Sequence, residues 1–109
     1  MIKNIRKFIL GKKCRNIENG EITKEELQKL QKERAMIIDV RSPMEYKEEH
    51  INGAINIPLY DLRSKAKKLL KDTRQPIIVY CSTGARSKKA KKELLKQGYI
   101  NVYNLYEGF

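Results

Sequence analysis

Two short apolar runs, at residues 35–40 and 77–80, constrain the fold of this chain more than any other feature. Both are rich in β-branched residues, and both are almost continuous rather than alternating with polar positions. Strands of a parallel sheet have this pattern, because helices cover both faces of such a sheet and leave neither face polar. We therefore expect both runs to be buried strands of a parallel sheet.

Segments with the start signals and apolar spacing of helices separate the predicted strands. Thr23 with Glu26, and Ser42 with Glu45, have the spacing of capping boxes at helix N-termini. Gly98 has the position of a helix-ending glycine. Strands that alternate with helices over short connections predict an α/β fold with a parallel sheet. In chain order we predict a helix from Thr23 to about residue 34, a strand at 35–40, a short helix at 43–49, a strand at 54–57, a helix at 59–70, a strand at 77–80, a helix at 88–97 and a strand at 102–105.

The length of the chain, 109 residues, is that of one compact domain. We assign residues 17–109 to this domain and residues 1–16 to a basic N-terminal extension. Ile2, Ile5 and Ile9 have the spacing of a short amphipathic helix, which we expect to pack on the sheet. The alternative is a free basic tail, because so short a helix is marginal unless it packs.

The apolar segments and the cysteines indicate a cytoplasmic protein. No apolar run approaches the roughly 18 residues that span a bilayer. The apolar patch at residues 8–10 is shorter than the roughly 7–15 residues of a secretory signal core. Cys14 and Cys81 have no CxxC spacing, and the chain has 1 histidine, so we expect no metal and no cofactor. In a reducing compartment we expect free thiols rather than a disulfide between the two.

The formal net charge is +11, from 24 Lys and Arg against 13 Asp and Glu. Such an excess is typical of proteins that bind nucleic acid or an anionic surface. It is equally typical of lysines that solvate helix faces, and most of these lysines fall where helices are predicted. We favour the second interpretation and expect neither a nucleic-acid nor a membrane partner, although the charge would attract small anions.

Cys81 is the candidate reactive residue, because it directly follows the 77–80 strand. Ligands bind beyond the carboxyl ends of strands in open parallel sheets. Amide groups of a tight loop that opens a helix can hold an anion there, and the helix dipole and Arg86 favour negative charge. Such a setting lowers a thiol pKa; the alternative is a cysteine that is merely buried. The loop that follows Cys81 consists of Ser82, Thr83, Gly84, Ala85, Arg86 and Ser87.

Segments 37–41, 45–58 and 80–87, in this order and spacing, resemble the rhodanese family from about residue 22 to residue 108. The resemblance implies a five-stranded parallel sheet flanked by helices. It also implies a sulfurtransferase in which Cys81 takes a sulfane sulfur as a persulfide from a small anionic donor such as thiosulfate. The acceptor would be a thiol or cyanide, and a protein persulfide is a further candidate partner.

The resemblance also implies roles for residues around the cysteine. The amides of residues 82–86 would hold the persulfide, with the Arg86 side chain at the rim of the loop. Asp39 and Arg41 match the pair at a strand end of the family, which we interpret as support for the loop; the alternative is a surface ion pair with Glu45 or a neighbour. His50 matches a family position that we expect to be structural. Cys14 is expected to have no role.

Two other functions remain open at this point. The loop is similar to the signature of cysteine phosphatases and arsenate reductases, but Cys81 and Arg86 enclose four residues where that signature encloses five. The second alternative is a persulfide carrier or regulatory module without turnover. The chain departs from the family at Glu49 and at residues 107–109, where the family usually has two glycines and a final helix. For this reason we expect the N-terminal extension to cover the sheet.

Overall fold

The computed structural model describes residues 20–109, which form a five-stranded parallel sheet with helices packed on it. This architecture confirms the predicted fold class. The elements in chain order are β1 (Glu21–Ile22), α1 (Lys24–Lys32), β2 (Met36–Asp39), α2 (Pro43–Glu48), β3 (Ile55–Asn56), α3 (Leu59–Leu69), β4 (Ile77–Tyr80), α4 (Ala85–Lys96) and β5 (Val102–Leu105).

The strand order β1-β5-β4-β2-β3 places β4 at the centre of the sheet. Strands β2 and β4 lie side by side in a register that aligns Asp39 with Tyr80. The carboxyl ends of these two strands therefore meet at one level. Cys81, directly after β4, starts its loop at the middle of this edge.

The sheet separates two apolar cores, because successive side chains of a strand point to opposite faces. Ile77 and Val79 of β4 belong to one core, and Ile78 and Tyr80 belong to the other. Helices α3 and α4 cover the first core with Leu62, Ala66, Ala90 and Leu94, and α1 covers the second with Leu27 and Leu30.

Helices α1 and α2 begin at the two predicted capping boxes. The Thr23 hydroxyl accepts from the Glu26 amide at 3.2 Å, and the Thr23 amide donates to the Glu26 carboxylate at 2.8 Å. Ser42 and Glu45 make the same reciprocal pair at 3.2 and 3.0 Å. At the other end of the fold, Gly98 ends α4 with a φ of 102°, as predicted.

Several element boundaries differ from the prediction. Helix α4 begins at Ala85 rather than at residue 88, because Gly84 caps it through its left-handed backbone and provides no side-chain signal. Strand β1 was not located from the sequence, since two residues are too few to show a period. The strand predicted at 35–40 is shorter at both ends, and the one predicted at 54–57 contains two residues.

The basic N-terminal extension at residues 1–16, its predicted helix and Cys14 lie outside the described residues. Within residues 20–109, no helix is long and apolar enough to cross a membrane. In the same range, no cluster of three or more His, Cys, Asp and Glu residues could hold a metal ion. The second core is covered within that range by α1, with the partly buried Tyr46 of α2 packed against it.

Candidate active site

Cys81 lies at the carboxyl end of the central strand and is fully buried, with 0% relative exposure. The chain turns from β4 into α4 through residues 82–84, with Gly84 at a φ of 93°. A Cβ at residue 84 would lie 2.9 Å from the Tyr106 carbonyl oxygen. The tight turn and this close approach both explain why glycine occupies the position.

The Cys81 sulfur is surrounded by hydrogen-bond donors from its own loop. The Gly84 amide donates to Sγ at 3.0 Å, and the Ser87 amide does so at 3.4 Å. The Ser87 hydroxyl lies 3.4 Å from Sγ. Gly84 and Ser87 lie at the start of α4, where backbone amides have no carbonyl partner within the helix. Both amides therefore point to the sulfur instead.

These contacts lower the pKa of the Cys81 thiol below its ordinary value. Burial raises the pKa, but hydrogen bonds from the Ser87 hydroxyl and amide, and from the Thr83 and Gly84 amides, outweigh it. The Ser87 hydroxyl also donates to the Gly84 carbonyl at 3.2 Å. A hydroxyl has one proton, so it must turn from that carbonyl to stabilise a thiolate on Cys81.

Arg86 lies at the rim of the loop and is held by a carboxylate of α2. Its Nη1 and Nη2 atoms donate to the two Glu45 oxygens at 2.8 and 3.1 Å, and Nη2 also donates to the Ser82 hydroxyl at 3.2 Å. The hydrogen bonds from Arg86, followed by the bond from the Ser42 amide, lower the pKa of Glu45 to about 2. Glu45 is therefore ionised at neutral pH.

Asp39 and Arg41 form a buried ion pair beside the loop. Arg41 Nη2 lies 2.7 Å from Asp39 Oδ2, and the relative exposures of the two residues are 7% and 0%. The Arg41 amide donates to Asp39 Oδ1 at 2.9 Å. The alternative interpretation, a surface ion pair with Glu45 or a neighbour, is wrong, because the Asp39–Arg41 pair is buried and Glu45 pairs with Arg86.

Tyr80 connects this ion pair to the strand that carries the cysteine. Its hydroxyl donates to Asp39 Oδ2 at 2.8 Å and accepts from the Ile51 amide at 3.0 Å. Burial, together with the hydrogen bond to Asp39, raises the Tyr80 pKa, although the Ile51 amide opposes this. Tyr80 is thus a neutral donor that ties β4 to Asp39 and to the segment before β3.

The C-terminal residues also contact the loop. The Phe109 amide donates to the Cys81 carbonyl at 2.8 Å. The Phe109 ring lies 4.9 Å from the Arg41 guanidinium carbon and 5.5 Å from the Tyr80 ring. Sequence reasoning missed these contacts, the pairing of Glu45 with Arg86 and the hydrogen bonds of Tyr80, because none of them follows from local spacing.

His50 is exposed, follows α2 and contacts Tyr46. Its ring stacks on Tyr46 at 3.8 Å, and its Nδ1 lies 2.7 Å from the Tyr46 carbonyl oxygen. These contacts fit the structural role that the sequence predicted. Of the loop residues named from the sequence, Gly84 and Ser87 contact the sulfur, and Ser82 and Arg86 form the rim.

Comparison with known proteins identifies the domain type and close relatives. The rhodanese-like domain model matches residues 23–109. Thiosulfate sulfurtransferase GlpE of Coxiella burnetii is 36% identical over 90 residues, which are 82% of this chain and 82% of GlpE. Thiosulfate sulfurtransferase PspE of Escherichia coli is 42% identical over 67 residues, which are 62% of this chain. The matched segment spans 64% of PspE, less than two thirds of its length.

A solved structure supports the same fold. The human single-domain sulfurtransferase TSTD1 is superimposed with a TM-score of 0.73 at 25% sequence identity. The match covers 83% of this chain and 91% of the human chain. The sheet and the helices around it are therefore shared over almost the whole described range.

Proposed function

Because the chain belongs to the rhodanese-like domain family, we propose that it is a sulfurtransferase that carries a sulfane sulfur on Cys81. The observation that carries the proposal is the convergence of the Gly84 amide, the Ser87 amide and the Ser87 hydroxyl on one buried sulfur. These donors stabilise negative charge on sulfur, and the thiolate is the nucleophilic form of cysteine.

The first half-reaction loads the cysteine. The Cys81 thiolate attacks the outer sulfur of thiosulfate, a new S–S bond forms, and the bond between the two sulfurs of thiosulfate breaks. Sulfite leaves with the electron pair, and Cys81 is left as a persulfide anion. The charge balances, because one thiolate and one dianion give one persulfide anion and one dianion.

The second half-reaction unloads it. Cyanide attacks the outer sulfur of the persulfide and leaves as thiocyanate, and the electron pair of the broken S–S bond returns to Cys81 as thiolate. A thiol acceptor removes the sulfur by the same displacement and becomes a persulfide. The loop amides would stabilise the charged sulfur of Cys81 in both half-reactions.

Access to the sulfur requires local movement. Cys81 has 0% relative exposure, so no donor touches Sγ in the resting arrangement. Ser82 and Thr83, which are exposed, form the outer part of the loop. We propose that a small displacement of these two residues admits the donor, and that the amides of Gly84 and Ser87 stay in place on the helix.

Thiosulfate is proposed as a donor because the relatives GlpE and PspE are named for its use. Phosphatase chemistry is less well supported, since a loop with four residues between Cys81 and Arg86 leaves less room for a tetrahedral phosphate. A carrier would use the same Cys81 persulfide with a protein acceptor. A cytoplasmic location, which would keep the thiol reduced, is part of the proposal.

The proposal is tested by measuring thiosulfate:cyanide sulfur transfer, with thiocyanate as the detected product. Cys81→Ser should abolish turnover, because an alcohol cannot form the persulfide. Cys14→Ser is the matched control and should leave turnover close to that of the unchanged protein. Activity that survives Cys81→Ser but is lost with Cys14→Ser would show that Cys14, and not Cys81, carries the sulfur.

A further inference from the structure

The charge at the rim of the Cys81 loop is set by one ion pair. Arg86 is the single charged residue among residues 82–87. Both of its terminal nitrogens donate to Glu45, at 2.8 and 3.1 Å. The rim therefore carries a paired cation rather than a free one.

This pairing persists throughout the neutral pH range. The pKa of Glu45 is lowered to about 2, chiefly by Arg86, so the carboxylate keeps its charge. The hydrogen bonds with Glu45 in turn raise the pKa of Arg86. A negative charge on Cys81 raises it further, so Arg86 interacts with the charge of the sulfur. Next to it, Asp39 balances Arg41 at 2.7 Å. The guanidinium groups of Arg86 and Arg41 are thus both paired with carboxylates.

A dianionic donor gains little from such a rim. Near the sulfur, the attraction that remains comes from the loop amides and the helix N-terminus, equivalent to roughly half an elementary charge. The excess of lysines adds a long-range attraction for any anion, which salt screens. Glu45 and Ser82 engage three of the five N–H donors of Arg86. A sulfonate-type group could use the remaining donors, but it would share the guanidinium charge with the Glu45 carboxylate. A donor with little charge at its reacting end, in contrast, loses nothing from the pairing.

We propose that Glu45 is a specificity-determining residue, which disfavours dianionic sulfur donors by pairing with Arg86 and so favours persulfides of the form R–S–SH. The inference rests on the proposed sulfur transfer to Cys81. With such a donor, the Cys81 thiolate attacks the outer sulfur and the bond between the two donor sulfurs breaks. The thiolate R–S⁻ leaves with the electron pair, and the proton stays on the new Cys81 persulfide.

The capping boxes provide a variant and its matched control. Glu45→Gln removes the carboxylate charge but keeps an oxygen that can accept from the Ser42 amide, since glutamine also forms capping boxes. Glu26→Gln makes the same change at the start of α1, where Glu26 accepts from the Thr23 amide. Strand β1, which precedes α1, is separated from β4 by β5. At physiological salt, screening over about 8 Å weakens any effect of Glu26 on the sulfur.

The effect of Glu45 on charge preference is tested with two alkylating probes of nearly equal size, anionic iodoacetate and neutral iodoacetamide. The rate of Cys81 modification is followed by peptide mass spectrometry in the full chain. Changes in loop opening or in thiolate fraction alter both rates together, so the ratio of the iodoacetate rate to the iodoacetamide rate reports charge alone. Glu45→Gln should raise this ratio roughly three- to tenfold, the effect of one unit charge over several ångströms in a partly aqueous medium. Arg86→Gln should lower it, and Glu26→Gln should leave it unchanged.

An unchanged ratio in Glu45→Gln, or an equal rise in Glu26→Gln, would overturn the inference. A second arm measures kcat/KM for thiosulfate against kcat/KM for an alkyl persulfide that has no other charged group. Glu45→Gln should shift this preference towards thiosulfate by a similar factor. Absence of sulfur transfer in the unchanged protein, with the alkylation ratios of the variants shifted as predicted, would instead contradict the proposed function alone, so the two failures are distinguishable.

Discussion

Gly108 lies against the carbonyl group of Ser82, so close that a Cβ at residue 108 would overlap the carbonyl oxygen. The same Cβ would come within 3.1 Å of the Thr83 Cα. The next residue, Phe109, donates its amide to the Cys81 carbonyl at 2.8 Å. The segment after β5 therefore holds the outer part of the Cys81 loop from one side.

Gly108→Ala should reduce sulfur transfer as well as stability. The new methyl group overlaps the Ser82 carbonyl, so it shifts the loop permanently and disturbs the hydrogen bond from Phe109 to Cys81, whereas the movement that admits the donor is transient. Gly98→Ala is the matched control: its φ of 102° is strained for alanine, as is the φ of 81° at Gly108, but its Cβ would meet nothing within 4 Å. Both variants should lose about 1–2 kcal/mol of unfolding free energy from backbone strain. Urea unfolding and thiosulfate:cyanide turnover should show that Gly108→Ala alone also loses activity. Equal activity in the two variants would show that the close contact of Gly108 with the loop is not needed for turnover.

Removal of one partner of the buried Asp39–Arg41 pair should be strongly destabilising, because it leaves a buried charge unpaired. Asp39→Asn leaves the Arg41 cation without its partner and should lower the unfolding free energy by about 3 kcal/mol. Asp61→Asn removes the partner of an exposed pair, Asp61 with Lys65 at 3.3 Å, and should cost about 0.3–0.5 kcal/mol. Denaturant unfolding at neutral pH measures both values. Similar losses in the two variants would contradict the importance of burial here.

Ser87→Ala should raise the pKa of the Cys81 thiol, because the Ser87 hydroxyl is the strongest of the groups that lower it. In the unchanged protein the thiolate should therefore form below the ordinary cysteine pKa of about 8.5. A lowered pKa stabilises the fold at pH values above the pKa of the unfolded thiol, and this contribution is lost as the pH falls through the folded pKa.

The measurement for Ser87→Ala is the ultraviolet absorbance of the thiolate as a function of pH, as the difference from a Cys81→Ser variant. Ser82→Ala is the control, since the Ser82 hydroxyl contacts Arg86 at 3.2 Å. Its titration midpoint should remain close to that of the unchanged protein. A midpoint that does not move in Ser87→Ala would show that the loop amides alone set the pKa.

The fold follows from the sequence where the signal is local. The apolar run at residues 77–80 is β4 without change, and both capping boxes start helices as predicted. The position of Cys81 beyond the central strand follows from the same pattern. Strand β1 and the start of α4 do not follow from it, because a two-residue strand depends on β5 and a glycine cap has no side chain.

The partners that Arg86 and Tyr80 find within the site could not be predicted, because these contacts join residues that are far apart in the chain. Glu45 meets Arg86 only when α2 and the loop are brought to the same edge of the sheet. In the sequence, Tyr80 is one more apolar residue of a predicted strand, but its hydroxyl donates a hydrogen bond to Asp39. The parallel register of β2 and β4, which aligns these two residues, is the property that sequence spacing does not show.

The central claim, that Cys81 carries the sulfur, is tested most directly by the intact mass of the protein after incubation with thiosulfate. The mass should increase by one sulfur atom, which cyanide removes as thiocyanate. The gain should be absent in Cys81→Ser and present in Cys14→Ser. A sulfur adduct that persists in Cys81→Ser, or no adduct in the unchanged protein with either thiosulfate or an alkyl persulfide as donor, would contradict the claim.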